Sequence, residues 1–182
     1  MISIEKEKAD DRPTVEFLLD LAFGPGRFAK SSYRLREGVA PLAELCFVGR
    51  FDGETKGSIR YWPVRVGTSG SALLLGPLAV DPSIRGKGLG IALIDHSLQQ
   101  ATQLGHNVVF LVGDEPYYAK SGFRKTEPDR FTFPGPVDPN RLLVRELIKK
   151  TDASFSGLIH RDRSNALSAP SQQSHPGDDQ EK

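Results

Sequence analysis

The densest chemistry in the chain lies in six residues: Arg85, Gly86, Lys87, Gly88, Leu89 and Gly90. Cations alternate with glycines there, immediately before an apolar pattern at Leu89, Ala92, Leu93, Ile94, Leu98, Ala101 and Leu104. That spacing predicts a helix laid on a sheet, stopped by Gly105 as a left-handed cap. A glycine loop that feeds a helix N-terminus is an anion site, because the first turn has unpaired N–H groups and the positive end of the helix dipole. Glycines let the backbone approach a ligand closely, and Arg85 and Lys87 add charge. The chemistry points to a phosphate or pyrophosphate. The pattern GxxxxGK[ST] fails, since no Lys-Ser/Thr follows the glycines. The dinucleotide pattern GxGxxG fails as well, because Gly86, Gly88 and Gly90 are separated by single residues. What survives is Arg-x-x-Gly-x-Gly, on Arg85, Gly88 and Gly90.

Several elements must position that loop. A strand ends at Val80, and Asp81-Pro82-Ser83 turns into the loop. After the helix, residues 107–112 read as a buried strand, giving strand–loop–helix–strand. Upstream, residues 44–50, 56–66 and 71–80 read as three antiparallel strands. Asp52-Gly53 and residues 67–70 make the turns, and Pro63 interrupts the second strand. Gly76-Pro77 falls inside the third. Proline cannot donate to a ladder and glycine weakens one, so the pair implies a bulge or a local loss of pairing. Backbone groups freed there need another partner, and a bound ligand is one candidate. Near the N-terminus, a helix is expected from about Pro13, with Val15, Leu18, Leu19 and Ala22 on one face. Gly24-Pro25-Gly26 breaks it, and residues 28–35 carry a weaker helical pattern.

The 182 residues fit one domain. With 24 Lys+Arg against 23 Asp+Glu, the chain lacks the strongly basic footprint of a dedicated nucleic-acid binder. Its longest apolar run, residues 108–112, is far short of the ~20 residues needed to span a bilayer. The charged N-terminus is followed by no apolar h-region, so a cytoplasmic protein is expected. The single cysteine, Cys46, reads as a small core residue. Neither it nor the scattered histidines His96, His106, His160 and His175 offer metal-ligand spacing, so no metal is expected. The domain is expected over residues 1–150. Residues 151–182 read as a polar, disordered tail, although Phe155, Leu158 and Ile159 could dock.

In this context Arg-x-x-Gly-x-Gly resembles the acetyl-CoA-binding motif of the GNAT superfamily of N-acetyltransferases. Tyr117-Tyr118-Ala119-Lys120-Ser121-Gly122-Phe123 is similar to that superfamily's FYxxxGF segment. The runs GPLAVDPSIRGKGLG, LVGDEPYYAKSGF and PGPVDPN…LLVREL look closest to the YhbS-like branch. The resemblance implies an α/β GNAT-type acyl-CoA N-acyltransferase fold, a mixed central sheet with splayed fourth and fifth strands flanked by helices. It also implies acetyl-CoA, or another acyl-CoA, as co-substrate. The pantetheine arm would pair with Leu78, Ala79 and Val80. The pyrophosphate would sit on Arg85, Gly86, Lys87, Gly88, Leu89 and Gly90 and on the helix start, Ile91 and Ala92.

The reaction so implied is direct attack of an amine on the thioester. A backbone N–H at Ala79 or Val80 would stabilise the oxyanion, and Tyr118 aligns with the family's general acid. Tyr117 reads as packing. The base is open: Leu73-Leu74-Leu75 stands where some members carry a strand-borne Glu, and Glu44, Asp114 and Glu115 are the candidates. Tyr61 and Trp62 could line an acceptor pocket or belong to the core. The segment from Phe23 to Phe28 falls where an acceptor-side loop is expected. The acceptor is a small-molecule or protein amine, and the protein a monomer or homodimer. The alternative is a non-catalytic acyl-CoA-binding sensor or interaction module on the same fold, favoured by the missing strand Glu and opposed by Tyr118.

Overall fold

The computed structural model describes residues 1–29, 31–68, 70–151 and 153–165. In chain order the elements are β1 (Ile2–Lys6), α1 (Arg12–Phe23), a short α2 (Ser31–Arg34), β2 (Phe47–Phe51), β3 (Glu54–Val66) and β4 (Gly70–Val80). Then come α3 (Leu89–Gln103), β5 (Val108–Val112), the single turn α4 (Glu115–Tyr118), β6 (Arg124–Lys125), β7 (Phe131–Thr132), β8 (Leu142–Glu146) and β9 (Gly157–Arg161). The strands form one sheet in the order β1-β2-β3-β4-β5-β8-β6. Pairing is antiparallel from β1 to β4 and from β5 to β6, and parallel between β4 and β5. This is the mixed sheet the resemblance implied. β1, at the sheet edge and unannounced by any local pattern, makes β4 the fourth strand and β5 the fifth.

The expected disordered tail does not begin at residue 151. β9 pairs antiparallel with the far end of β3, Val64 opposite Arg161 and Val66 opposite Ile159. Ile159 is fully buried there and Phe155 packs beside it, whereas Leu158 is exposed. Residues 166–182, the rest of that expectation, lie outside the described residues. β9 also explains how β3 tolerates Pro63. β2 covers β3 only as far as Ile59, and β9 begins at Val64. Tyr61 O accepts from Leu42 N on that side, so Pro63, two residues on, presents its missing donor to a gap in the ladder.

One face of the sheet is covered by α3. Leu89, Leu93, Ile94, Leu98 and Ala101 pack on Phe47, Ile59, Tyr61, Leu73 and Leu75. The other face meets α1 through Val15, Leu18 and Leu19, and meets residues of the 35–39 and 131–144 segments around Trp62, Leu74 and Phe110. Ala22, assigned to the buried face of α1, is exposed.

β4 changes face partway along. Leu73 and Leu75 point to the α3 side, but past Gly76-Pro77 it is Leu78 and Val80 that pack there, while Ala79 joins the α1 side. The register shows the cause. Tyr61 opposes Leu75 and Ile59 opposes Leu78, so two steps along β3 match three along β4. This is the β-bulge that Gly76-Pro77 suggested, and a bulge bends and twists its strand. Toward β5 only Leu73 and Leu74 are paired, with Val109 and Phe110. Beyond Leu74 the two central strands part.

α3 lies close to the sheet because two glycines oppose each other under it, Gly49 on β2 and Gly57 on β3. A Cβ at Gly49 would stand 2.6 Å from Leu89 Cδ1 and 3.2 Å from Leu93 Cδ1. Gly49→Val is therefore expected to destabilise the protein by about 1–3 kcal/mol through overpacking, read as a lower urea midpoint at unchanged m-value.

Candidate functional site

The site is assembled where β4 leaves β5. The Asp81 N–H donates to Lys56 O in the β3 ladder. Alternation along an antiparallel pair then turns Ala79 toward β3 and leaves the N–H and C=O of Leu78 and Val80 on the open side. Of the two N–H groups considered for an oxyanion, that of Ala79 is thus committed to the sheet.

At the end of β4 the turn is pinned twice. Asp81 Oδ1 accepts from Ser83 N at 2.9 Å, and Lys56 Nζ lies 3.1 Å from Asp81 Oδ2. The Ser83 N–H, seconded by Lys56, holds the Asp81 carboxyl below its ordinary range. A 3₁₀ turn, Pro82–Ile84, leads into the loop. Within it Arg85 N and Lys87 N are occupied, donating to Pro82 O and Ile84 O, and Ala92 N donates to Gly88 O. Among the described residues, the N–H groups of Gly86, Gly88, Leu89, Gly90 and Ile91 have no protein acceptor. Five unpaired donors at one helix start form an anion cradle. Gly86 and Gly88 hold φ of 81° and 86°, so their role is conformational: the loop turns through the left-handed region to aim those donors. A Cβ at either would meet nothing within 4 Å. The side chains of Arg85 and Lys87 are exposed and form no ion pair among the described residues.

Across the cleft stands Tyr118. Its ring packs edge-on against Tyr117 and Phe123, with centroids 5.1 and 6.0 Å away. It also lies so close to the end of β5 that a Cβ on Gly113 would be 2.3 Å from Tyr118 Cε2. The turn after it is tied to α3, where Ser121 Oγ donates to Asp95 Oδ1 at 2.6 Å, and to β8, where Arg145 donates to Ser121 O. Burial pushes the Tyr118 hydroxyl up to about 12. The phenol is neutral across the physiological range and available as a donor. Tyr117 is the packing residue expected, its hydroxyl resting against Gly90 at the helix start.

Between the strands lies a cleft of about 470 Å³, lined by Leu74–Leu78 on one side and by Leu111, Val112 and Tyr118 on the other. Phe23, Tyr33, Arg36, Val137, Asp138 and Arg141 are also in its wall. None of the three carboxylates considered as base lines it. Asp114 pairs with Arg141 at 3.2 Å, Glu115 with Lys125 at 3.4 Å, and Glu44 sits in a 3₁₀ turn, Ala43–Leu45. The carboxylate that does line the cleft is Asp138. Its Oδ1 accepts from Asn140 N and Nδ2, and its Oδ2 has no protein partner among the described residues. Asp138-Pro139-Asn140 is legible in sequence as a turn, but nothing local places that turn beside Tyr118.

The remaining candidates divide cleanly. Tyr61 is wholly buried, its hydroxyl 2.7 Å from Ser97 Oγ. Trp62 lines a second cavity of about 440 Å³ with Arg27, Phe28, Tyr33 and Arg36, so the segment from Phe23 to Phe28 does border the cleft region. Cys46 is buried and its thiol is pushed up to about 12 by burial, as suits a core residue. No helix among the described residues is long and apolar enough to cross a membrane, and no group of metal-ligating side chains occurs among them.

Residues 14–123 match the Acetyltransferase (GNAT) family, and the chain belongs to that family. It is 30% identical over 135 residues to the uncharacterized N-acetyltransferase YjhQ of Escherichia coli (strain K12), covering 72% of each chain. It is 32% identical over 115 residues to the uncharacterized N-acetyltransferase YhbS of the same strain, covering 62% of this chain and 68% of YhbS. The crystal structure of Escherichia coli YhbS in complex with CoA superposes with a TM-score of 0.74 at 28% identity, covering 89% of this chain and 90% of that one. A GNAT family acetyltransferase from Brucella melitensis, solved with acetyl-CoA, shares the fold with a TM-score of 0.65 at 22% identity, covering 89% and 96%.

The contact between Gly113 and Tyr118 yields a test that needs no ligand. Gly113→Ala should displace the Tyr118 ring from its buried seat. Its hydroxyl should then titrate nearer the ordinary value of about 10, seen as one tyrosinate appearing at lower pH in an absorbance titration. An unchanged titration would show that Gly113 does not set the ring's position.

Proposed function

We propose that the protein is an N-acetyltransferase that moves an acetyl, or another acyl, group from acyl-CoA to an amine acceptor by direct attack on the thioester. The observation that carries this reading is the continuity of the open β4 edge with the cradle of five unpaired N–H groups, with a neutral Tyr118 facing the same cleft. The CoA and acetyl-CoA in the two structures named above support the choice of ligand.

The residues present fit that ligand. The cradle on residues 86–91, with Arg85 and Lys87 beside it, would hold the pyrophosphate. The open-side backbone of Leu78 and Val80 would hold the amide-bearing pantetheine arm. When bound, acetyl-CoA supplies an acetyl group activated as a thioester. Either N–H, of Leu78 or of Val80, can donate to an oxygen that gains negative charge in the cleft. Asp138 Oδ2, directly or through a water, can take the proton an attacking amine must lose. Tyr118 Oη can donate toward sulfur as negative charge develops there. Because its proton is held more tightly than that of an ordinary thiol of about 8.5, Tyr118 acts by hydrogen bonding during bond cleavage, and solvent completes the protonation. Asp138 also weakens the case for a non-catalytic sensor, since a carboxylate borders the cleft without being on the fourth strand.

At a hundredfold excess over Kd, acetyl-CoA should raise the melting temperature by roughly 5–10 °C. Gly88→Glu, which sets a carboxylate in the cradle at a left-handed position, should abolish that shift. No shift with the wild type at saturating acetyl-CoA would refute the reading. Tyr118→Phe, which removes a donor to developing charge, should lower kcat by roughly 100-fold, with the acetyl-CoA shift kept. In the wild type, no alkaline loss of kcat from Tyr118 should appear below its raised pKa. Free-thiol release across an amine panel measures kcat, and equal turnover by wild type and Tyr118→Phe would remove Tyr118 from the mechanism.

A further inference from the structure

The wall of the cleft holds a half-buried cation that the proton transfers above do not use. Arg36 follows α2 between two core residues, Leu35 and Val39 being buried nearby. Its guanidinium is stacked between aromatic faces, 4.8 Å from the Tyr33 ring centroid and 5.0 Å from that of Trp62. Its Nε is buried without a hydrogen-bond partner. No carboxylate pairs with it among the described residues, and its polar neighbour is Tyr33. Neighbouring arginines are treated differently: Arg27 and Arg60 converge on the two oxygens of Glu16 at 2.7 and 3.2 Å. Withdrawing the Nε of a guanidinium from water with no counter-charge beside it is costly, and burial lowers Arg36 to about 10.

The position of this cation is specific. Arg36 borders both the cleft with Tyr118 and the cavity with Trp62. Its Nη2 lies 3.2 Å from where a Cβ on Gly76 would be, against the bulge and two residues from the open backbone of Leu78. A planar fork of N–H donors held rigid by stacking matches a carboxylate in two-point geometry. Leu111, Val112 and Val137 supply apolar surface in the same cleft.

We propose that Arg36 binds a carboxylate carried by the acceptor, so that the substrate class is a small amine bearing an acid group with an apolar remainder; this rests on the acetyltransferase reading above. Arg36 then sets acceptor specificity and takes no part in the proton transfers.

Trp62 is the chain's single tryptophan and stacks on Arg36, so its fluorescence reports on this site without turnover. The test titrates L-phenylalanine and L-leucine against their carboxamides, by Trp62 fluorescence and by thiol release with acetyl-CoA. The free acids should bind and react with Kd and KM roughly 10–100-fold lower than the carboxamides. Arg36→Gln should erase that preference by raising KM for the acids, with the acetyl-CoA melting shift intact. Arg36→Lys should recover part of the preference. Equal KM for acids and carboxamides, or an Arg36→Gln defect in acetyl-CoA binding with acid binding unchanged, would overturn the assignment and leave the acetyltransferase reading standing. A wild type that acetyl-CoA does not stabilise would overturn that reading, and this inference with it.

Discussion

The structure depends on one extra residue in β4. Between Leu75 and Leu78 the strand takes three steps where β3 takes two, and this single mismatch has several consequences. It reverses the faces of β4, so that Ala79 supports α1 while Leu78 and Val80 support α3. Just before it, pairing with β5 ends at Leu74. The sheet therefore keeps a continuous core on both faces while leaving a stretch of backbone unpaired at its centre. Exposed polar backbone inside a protein needs a partner, and the arrangement makes sense as a groove for an amide-bearing ligand.

The groove ends at the second polar deficit, the start of α3. That helix begins where Gly49 and Gly57 let Leu89 and Leu93 sink onto the sheet, so the direction of its first turn is set by packing. Asp81, with Ser83 and Lys56, fixes the turn that joins the groove to the helix. The two deficits are thereby held in register by the core. A third, the unpartnered Nε of the half-buried Arg36, belongs to a guanidinium that lies against the bulge at Gly76. Unsatisfied donors thus lie both at the start of α3 and beside the bulge. One set suits a phosphate and the other a carboxylate.

Much of this was legible in the sequence because it is local. Gly76-Pro77 announces a bulge through the missing donor, and the alternation of Arg85 to Gly90 announces a cradle. Tyr118 stands out through its motif, and the fold places it on the cleft. What was illegible depends on partners far away in the chain. The strand Ile2–Lys6 is short, lies at the sheet edge, and runs from two isoleucines into Glu5 and Lys6, so its charges read as a soluble terminus. Gly157–Arg161 has few apolar residues and becomes a strand because β3, beyond Pro63, and β7 offer it unpaired segments. Asp138 and Arg36 sit in turns with ordinary local patterns, and only the fold brings them to the cleft. The distribution of donors was also beyond reach. That Ala79 turns to β3 while Leu78 and Val80 face outward follows from ladder phase, which a sequence does not display.

The central claim is that the open edge of β4 and the cradle before α3 form one continuous ligand site. Residue-resolved amide hydrogen exchange with and without acetyl-CoA tests it most directly. Acetyl-CoA should slow exchange at residues 86, 88, 89, 90 and 91 and at Leu78 or Val80. Ala79, already bonded within the sheet, should change little. Protection confined to other parts of the surface, or absent from the cradle at saturating ligand, would contradict it.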